Sequence, residues 1–174
     1  MLELTGCVNN RIDGTDDGVG NASHAIYALR GSSAGLVGGA KYADIKNSEC
    51  TTNIYNTNSS TAAGLVGHLN LSNLEGCTLK NSIVRPNGGG VACGGIAGYA
   101  YSSTVKDNTL NNLQITGAGA TNTGVLAGDC DASAVFTDNA VSGSVLGAAI
   151  TLDSKMIGTG TPTVTGTYLY TADL

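Results

Sequence analysis

The chain has 174 residues, a net charge of −5 and a pI of about 4.7, and only 12% of it is Asp, Glu, Lys or Arg, where ordinary globular chains carry roughly a quarter. Its basic residues, Arg11, Arg30, Lys41, Lys46, Lys80, Arg85, Lys106 and Lys155, are scattered. The clustered basic face that a nucleic-acid backbone demands is therefore not expected. No apolar run approaches the ~18 residues of a membrane span. The opening MLELTGCVNN has neither the basic start nor the apolar stretch of a secretory signal, so the targeting signal of a longer parent chain would lie elsewhere.

The hydrophobic fraction is 41%, enough for a core, and Gly contributes 26 residues while Trp is absent and Phe single. Val, Ile and Thr punctuated by Asn and Gly favour short strands over helices. The length suits one domain, 1–174. Cys7, Cys50, Cys77, Cys93 and Cys130 are odd in number and widely spaced, which reads as small buried thiols rather than a disulfide framework or zinc ribbon.

The first segment, 1–33, is out of step with the rest of the chain. Leu4-Thr5-Gly6-Cys7 matches Leu74-Glu75-Gly76-Cys77, which places Leu4 at the station of Ile45 and leaves roughly a dozen extra residues between Ile12 and Arg30. Insertions of this kind bulge from one face of a repeat array, often the binding face. This one is acidic, and Asp13, Asp16 and Asp17 are candidate binding residues. Asp13, Thr15, Asp17 and Gly18 also match the start of a calcium loop, but His24 stands where its bidentate Glu belongs, so no metal is assigned.

From Ala34 the chain repeats. Ala34-Gly35-Leu36-Val37-Gly38 returns as Ala63-Gly64-Leu65-Val66-Gly67, Gly94-Gly95-Ile96-Ala97-Gly98 and Gly124-Val125-Leu126-Ala127-Gly128, with a worn copy at Met156-Ile157-Gly158. The closing glycines are 29, 31, 30 and 30 residues apart. Further apolar stations keep step: Ile45, Leu74, Val105 and Val135; then Thr51, Leu79, Leu110 and Val141; then Ile54, Ile83, Ile115 and Val145. Short apolar stations separated by Gly, Asn and Ser predict three short strands per repeat. None can bury a face alone, so stacked repeats must share one column of inward side chains. The predicted fold is all-β: a parallel β-helix of about five to six coils of ~30 residues, regular over 34–158, with right-handedness expected of parallel crossovers. Glycine is expected at the corners for positive φ. Asn47, Asn108 and Asn139, with Cys77 in the second repeat, are expected to stack at one bend.

The stretch 159–174, broken at Pro162 and alternating Thr163, Thr165 and Thr167 before Tyr168-Leu169-Tyr170, predicts a final partial coil or cap. Tyr42, Tyr99 and Tyr101, which come after the glycine word in two coils, are candidate ligand-stacking residues.

The word Gly-Leu-Val-Gly, with a polar bend after it and an aliphatic leading an Asn/Ser stretch (IKNSEC at 45–50, VKDNTL at 105–110), resembles the GLUG-motif repeat over Ala34 to about Ala149. That repeat occurs in bacterial surface proteins, including putative adhesins and regions of IgA-specific metallopeptidases. The resemblance implies a secreted or cell-surface β-helical stalk or binding region, extracellular, with adjoining domains in a longer chain. It implies no peptidase activity: the histidines are His24 and His68, and neither stands in a His-Glu-x-x-His.

The leading expectation is a non-catalytic module that binds a host glycan or surface protein, without cofactor. A β-helical polysaccharide lyase or hydrolase is the alternative. It needs carboxylates converging in one groove. Asp44, Asn73, Thr104 and Ala134 at one station form no acidic row, and Lys46, Glu75, Lys106 and Phe136 at the next read as a solvated charge ladder. An ice-binding array is less favoured, because Ala140 interrupts the row of Thr51, Thr78 and Thr109.

Overall fold

The computed structural model describes residues 32–56, 61–86, 92–116 and 122–170, together with the backbone of the strands within 5–8, 11–14 and 25–28. Among the described residues it is all-β: a solenoid of parallel strands stacked in coils, about four turns. A partial coil of β1 (Thr5–Val8), β2 (Arg11–Gly14) and β3 (Ala25–Ala28) comes first. The first full coil is β4 (Ser33–Ala34), β5 (Val37–Lys41), β6 (Asp44–Lys46) and β7 (Glu49–Asn56). The second is β8 (Ala62–Ala63), β9 (Val66–Asn70), β10 (Asn73–Glu75) and β11 (Thr78–Arg85). The third is β12 (Ala92–Gly94), β13 (Ala97–Tyr101), β14 (Thr104–Lys106) and β15 (Thr109–Ile115). The fourth is β16 (Asn122–Gly124), β17 (Ala127–Cys130), β18 (Val135–Thr137) and β19 (Ala140–Val145), extended by β20 (Ala148–Ala149). A last partial coil holds β21 (Ile157–Thr159), β22 (Thr163–Thr165) and β23 (Tyr168–Leu169).

Equivalent strands line up as four sheets: sheet 1 (β4-β8-β12-β16), sheet 2 (β5-β9-β13-β17-β21), sheet 3 (β1-β6-β10-β14-β18-β22) and sheet 4 (β2 and β3 on β7, then β11-β15-β19). Each coil therefore has four strands, not three. The additional one arises because the glycine word is itself a corner: in Ala34-Gly35-Leu36-Val37 the Ala ends sheet 1, Gly and Leu form the bend, and the Val begins sheet 2. Repeats do lie rung on rung. Gly35 N–H donates to the Gly64 carbonyl at 3.0 Å and Leu36 N–H to that of Leu65 at 2.9 Å; Ile96 donates to Leu126, and Leu126 to Met156, each at 2.9 Å. Leu65, Ile96 and Leu126 are fully buried, and Leu36 packs against the same core.

Lack of a Cβ, rather than positive φ, explains glycine within the word. A Cβ on Gly64 would fall on the Gly95 carbonyl oxygen and Leu79 Cδ2; one on Gly35 would meet Cys50 Sγ and the Gly64 carbonyl oxygen. The closing glycine does a second job. A Cβ on Gly67 would strike Ser32, and one on Gly98 would strike Thr61 Cγ2, so sheet 2 can lie against the segment leading into sheet 1 only where the side chain is missing. The left-handed backbone sits at other corners: Tyr42 (φ 55°), Leu71 (48°) and Ser102 (47°) between sheets 2 and 3, and Asn47 (49°), Gly76 (64°), Asp107 (55°) and Asp138 (54°) between sheets 3 and 4.

Three expected stations, Thr51, Ile83 and Val135, are off by one residue, the last two through a local insertion or deletion. The long strand of the second coil has one residue more than that of the first between the Leu79/Cys50 and Val84/Ile54 pairs, absorbed where Asn81 takes φ 45°. The inward stations are therefore Cys50, Leu79, Leu110 and Val141, then Ile54, Val84, Ile115 and the partly buried Val145; Thr51 and Ile83 are not members. The fourth coil has an extra residue in the turn Asp131–Ala134, so Phe136, fully buried, joins Ile45, Leu74 and Val105, while Val135 pairs with Thr104. In the first partial coil, Cys7 rather than Leu4 pairs with Ile45. That register brings Ile12 opposite Cys50; the alternative would bring Asn9 there. Gly14 then pairs with Thr52 and Ala25 with Asn53, so the inserted segment enters between β2 and β3.

The Asn stack lies one position beyond Asn47, at Ser48, Cys77, Asn108 and Asn139. Asn108 Nδ2 donates to Asn139 Oδ1 (3.0 Å) and to the Leu74 carbonyl (3.1 Å), and Asn108 Oδ1 accepts from Cys77 N–H (2.9 Å). Asn139 Nδ2 donates to the carbonyls of Val105 and Thr137, both at 3.1 Å. Both amides are wholly buried, so each must be satisfied by its neighbouring coils. Cys50, Cys77, Cys93 and Cys130 are all buried, in keeping with the expected core role. Asn47 itself, at φ 49°, is exposed at the preceding position.

Gly64→Ala should lower unfolding stability by roughly 1–3 kcal/mol through overpacking, while Gly39→Ala, in a position with nothing within 4 Å, should be neutral or slightly stabilising; parallel urea titrations compare them. Asn108→Ala leaves the buried Cys77 N–H and the Leu74 carbonyl short of a partner, for an expected loss of about 3 kcal/mol. Hydrogen exchange at the Cys77 amide should accelerate in the same variant.

Candidate binding face

Sheet 2 carries His68, Tyr99 and Tyr101. Its strands alternate: Ala40, Leu69, Ala100 and Cys130 point into the core and are buried, which turns the residues on either side of them outward. Register then builds two outward columns. One is Gly39, His68, Tyr99, Asp129 and Thr159; the other is Lys41, Asn70 and Tyr101. The columns cross the strands, so neighbours come from successive coils, ~4.8 Å apart.

At that spacing the rings must meet. The His68 imidazole stacks on the Tyr99 ring with centroids 4.5 Å apart and planes at 25°, and Tyr99 lies 5.8 Å from Tyr101. Tyr101 Oη donates to Asp129 Oδ2 at 3.4 Å. Burial, then the Asp129 carboxylate, push the Tyr101 phenol up to about 12, so it remains a donor at neutral pH. His68 Nε2 is 3.4 Å from Thr61 Oγ1, and burial against its neighbours lowers the pKa of His68 below 6.5. The ring is therefore a neutral, flat surface at pH 7.

Tyr99 and Tyr101 thus come together as expected, but Tyr42 does not join them. It occupies the corner after sheet 2, in line with Leu71 and Ser102, half exposed at 51%, with Lys41 Nζ 5.1 Å from its ring centroid. Asp13 lies in β2, paired with Thr51, while Asp16 and Asp17 fall outside the described residues. His68 is a member of the cluster that no sequence motif singles out. Its signal is one of phase: it comes directly after closing Gly67 as Tyr99 comes directly after closing Gly98.

Asp131, just beyond the aromatic column, has a structural task. Its carboxylate accepts from Ser102 N–H (2.9 Å), Ser102 Oγ–H (2.9 Å) and Ser133 N–H (3.1 Å), fixing the left-handed corner of the coil before it. Burial alone would raise its pKa, but these hydrogen bonds outweigh it and hold the carboxyl below its usual range.

Sheet 3 presents the polar ladder instead. Asp44, Asn73, Thr104, Val135 and Thr163 share one outward row, and Asn73 Nδ2 donates to Asp44 Oδ1 at 2.6 Å. The adjacent row alternates in charge, with Lys46 Nζ 3.2 Å and Lys106 Nζ 3.9 Å from Glu75, and Thr137, not Phe136, as its fourth member. Glu49, Thr78, Thr109 and Ala140 form the row on sheet 4, so Thr51 is not part of it. Among the described residues no group of three or more His, Cys, Asp or Glu is placed to hold a metal ion. No described helix is long and apolar enough to cross a membrane. Comparison with protein families, with curated proteins and with solved structures finds no match.

The lowered His68 pKa has a definite sign. Below 6.5 the unfolded chain takes up this proton before the folded one does, so stability should fall as pH drops through and below 6.5. His68→Gln should remove that part of the slope. Urea unfolding of both proteins between about pH 7.5 and 5, with an NMR titration midpoint for His68 below the ordinary His value, checks it.

Proposed function

We propose that this chain is a non-catalytic repeat module of a secreted or cell-surface bacterial protein, and that it binds a host glycan or surface protein through sheet 2. The observation that carries the reading is the His68–Tyr99–Tyr101 cluster, three rings from two adjacent coils held outward by a sheet whose other face is solid core. Such a platform offers ring faces for the apolar side of a sugar, with Tyr101 Oη and Asp129 as polar handles beside it. Its parts are fixed by coil-to-coil hydrogen bonding, so little conformational freedom is lost on binding. The resemblance of the repeat word to the GLUG motif supports the surface setting and an adhesin-type role.

The test is an immobilised-glycan and extracellular-matrix-protein panel probed with the 174-residue chain. Saturable binding that falls at least tenfold in Tyr99→Ala, with thermal stability retained, is the expected result. The same saccharides incubated with the chain should be recovered intact. Unsaturated or shortened products would replace this reading with that of a lyase or hydrolase, and binding indifferent to Tyr99 would remove sheet 2 from it.

A further inference from the structure

The outward column of sheet 2 lacks one rung. Its members are Gly39, His68, Tyr99, Asp129 and Thr159, and only the first has no side chain. Gly39 is exposed, and among the described residues nothing lies within 4 Å of where its Cβ would be. Its φ is not in the left-handed region, so the backbone does not require glycine there. This contrasts with Gly67 and Gly98 in the neighbouring column, where a Cβ would strike Ser32 or Thr61. Beside the gap, the imidazole of His68 stacks, among the described residues, on one ring, that of Tyr99. The rings are nearly parallel and one coil apart, so the second face looks along the column toward Gly39. The bare rung is the width of one stacked ring.

We infer that this gap is a saccharide slot, in which one pyranose of an anionic glycan, a hexuronate, stacks on His68 over the Gly38–Gly39 backbone with its carboxylate toward Lys41. The inference rests on the glycan-binding reading above and narrows it to a position and a charge. The charge comes from the flanking residues. Lys41 lies two residues along the same strand from Gly39, on the same side, and Asn70 lies beside His68 in the same way. Among the described residues the carboxylate of this column, Asp129, is three coils from Gly39, roughly 14 Å at the strand spacing. Among the described residues of sheet 2, the charged side chain nearest the slot by register is therefore Lys41. Lys41 Nζ rests over Tyr42 at 5.1 Å, on a four-carbon stem long enough to swing to a ligand.

Two matched probes test it: the β-1,4-linked glucose hexamer and its counterpart oxidised to the carboxylate at every C6. Titration into ¹⁵N-labelled protein should shift the Gly38, Gly39 and His68 resonances, with the oxidised hexamer binding at least tenfold more tightly. Gly39→Phe fills the rung and should abolish those shifts while leaving the melting temperature unchanged; Lys41→Gln should erase the preference between the hexamers. Undiminished binding of the oxidised hexamer in Gly39→Phe, or equal binding of the two hexamers by the unaltered chain, overturns the slot. If the chain binds neither hexamer yet still binds a panel ligand through Tyr99, the slot falls and the wider surface reading stands. If nothing binds in either experiment, both fall.

Discussion

The whole structure depends on two backbones approaching closely at one corner. Where the chain leaves sheet 1, the Gly35 N–H meets the Gly64 carbonyl, and the same contact recurs from Gly64 to Gly94 and from Gly95 to Val125. The position inside this corner is pressed by the next coil's carbonyl and by a core side chain from sheet 4, which is why a residue with no Cβ is needed in the first copies of the word. The aliphatic next in the word is then delivered inward at every turn. In this protein, glycine is a core-packing residue.

Polar satisfaction obeys the same inter-coil logic. Ser72 Oγ accepts from Ala43 N–H of the coil before, and Ser103 Oγ from Ser72 N–H. Asn108 and Asn139 do the equivalent at the next corner, and Asn53 Oδ1 accepts from Ile83 N–H within sheet 4. Backbone donors that the bends leave over are taken up by a neighbouring coil, through its carbonyls at the glycine corner and through side chains at Ser72, Ser103, Asn108 and Asn139. The repeat is consequently not a unit that folds and then docks. Its hydrogen-bond inventory closes only with a neighbour present, which couples the coils into one cooperative array.

The period, the all-β parallel architecture and the inward columns are legible in the sequence, because apolar stations must superimpose for a solenoid to have a core. The phase within the period is less so. A single added residue, such as the one absorbed at Asn81 or in the turn after Asp131, leaves composition and spacing almost unchanged yet turns Ile83 out of the core and Phe136 into it. The site shows the same division. Tyr99 and Tyr101 stand at outward positions of one strand and are readable from alternation. Tyr42 falls at a corner because it comes four residues, not one or three, after the closing glycine. His68 escapes a reading by motif because a lone histidine carries none; only its phase gives it meaning.

The split strand of the first partial coil shows where the array tolerates change. β2 and β3 occupy consecutive halves of β7, and the chain departs and returns between Thr52 and Asn53 on that partner. Later coils bend at this same place, where Asn81, Asn112 and Gly143 take positive φ. A point where the ladder already breaks stride is a natural splice junction. Foreign loops grafted between residues 81 and 82, or 112 and 113, would leave the rungs on either side in register, so the scaffold could acquire new recognition surfaces without re-deriving its core.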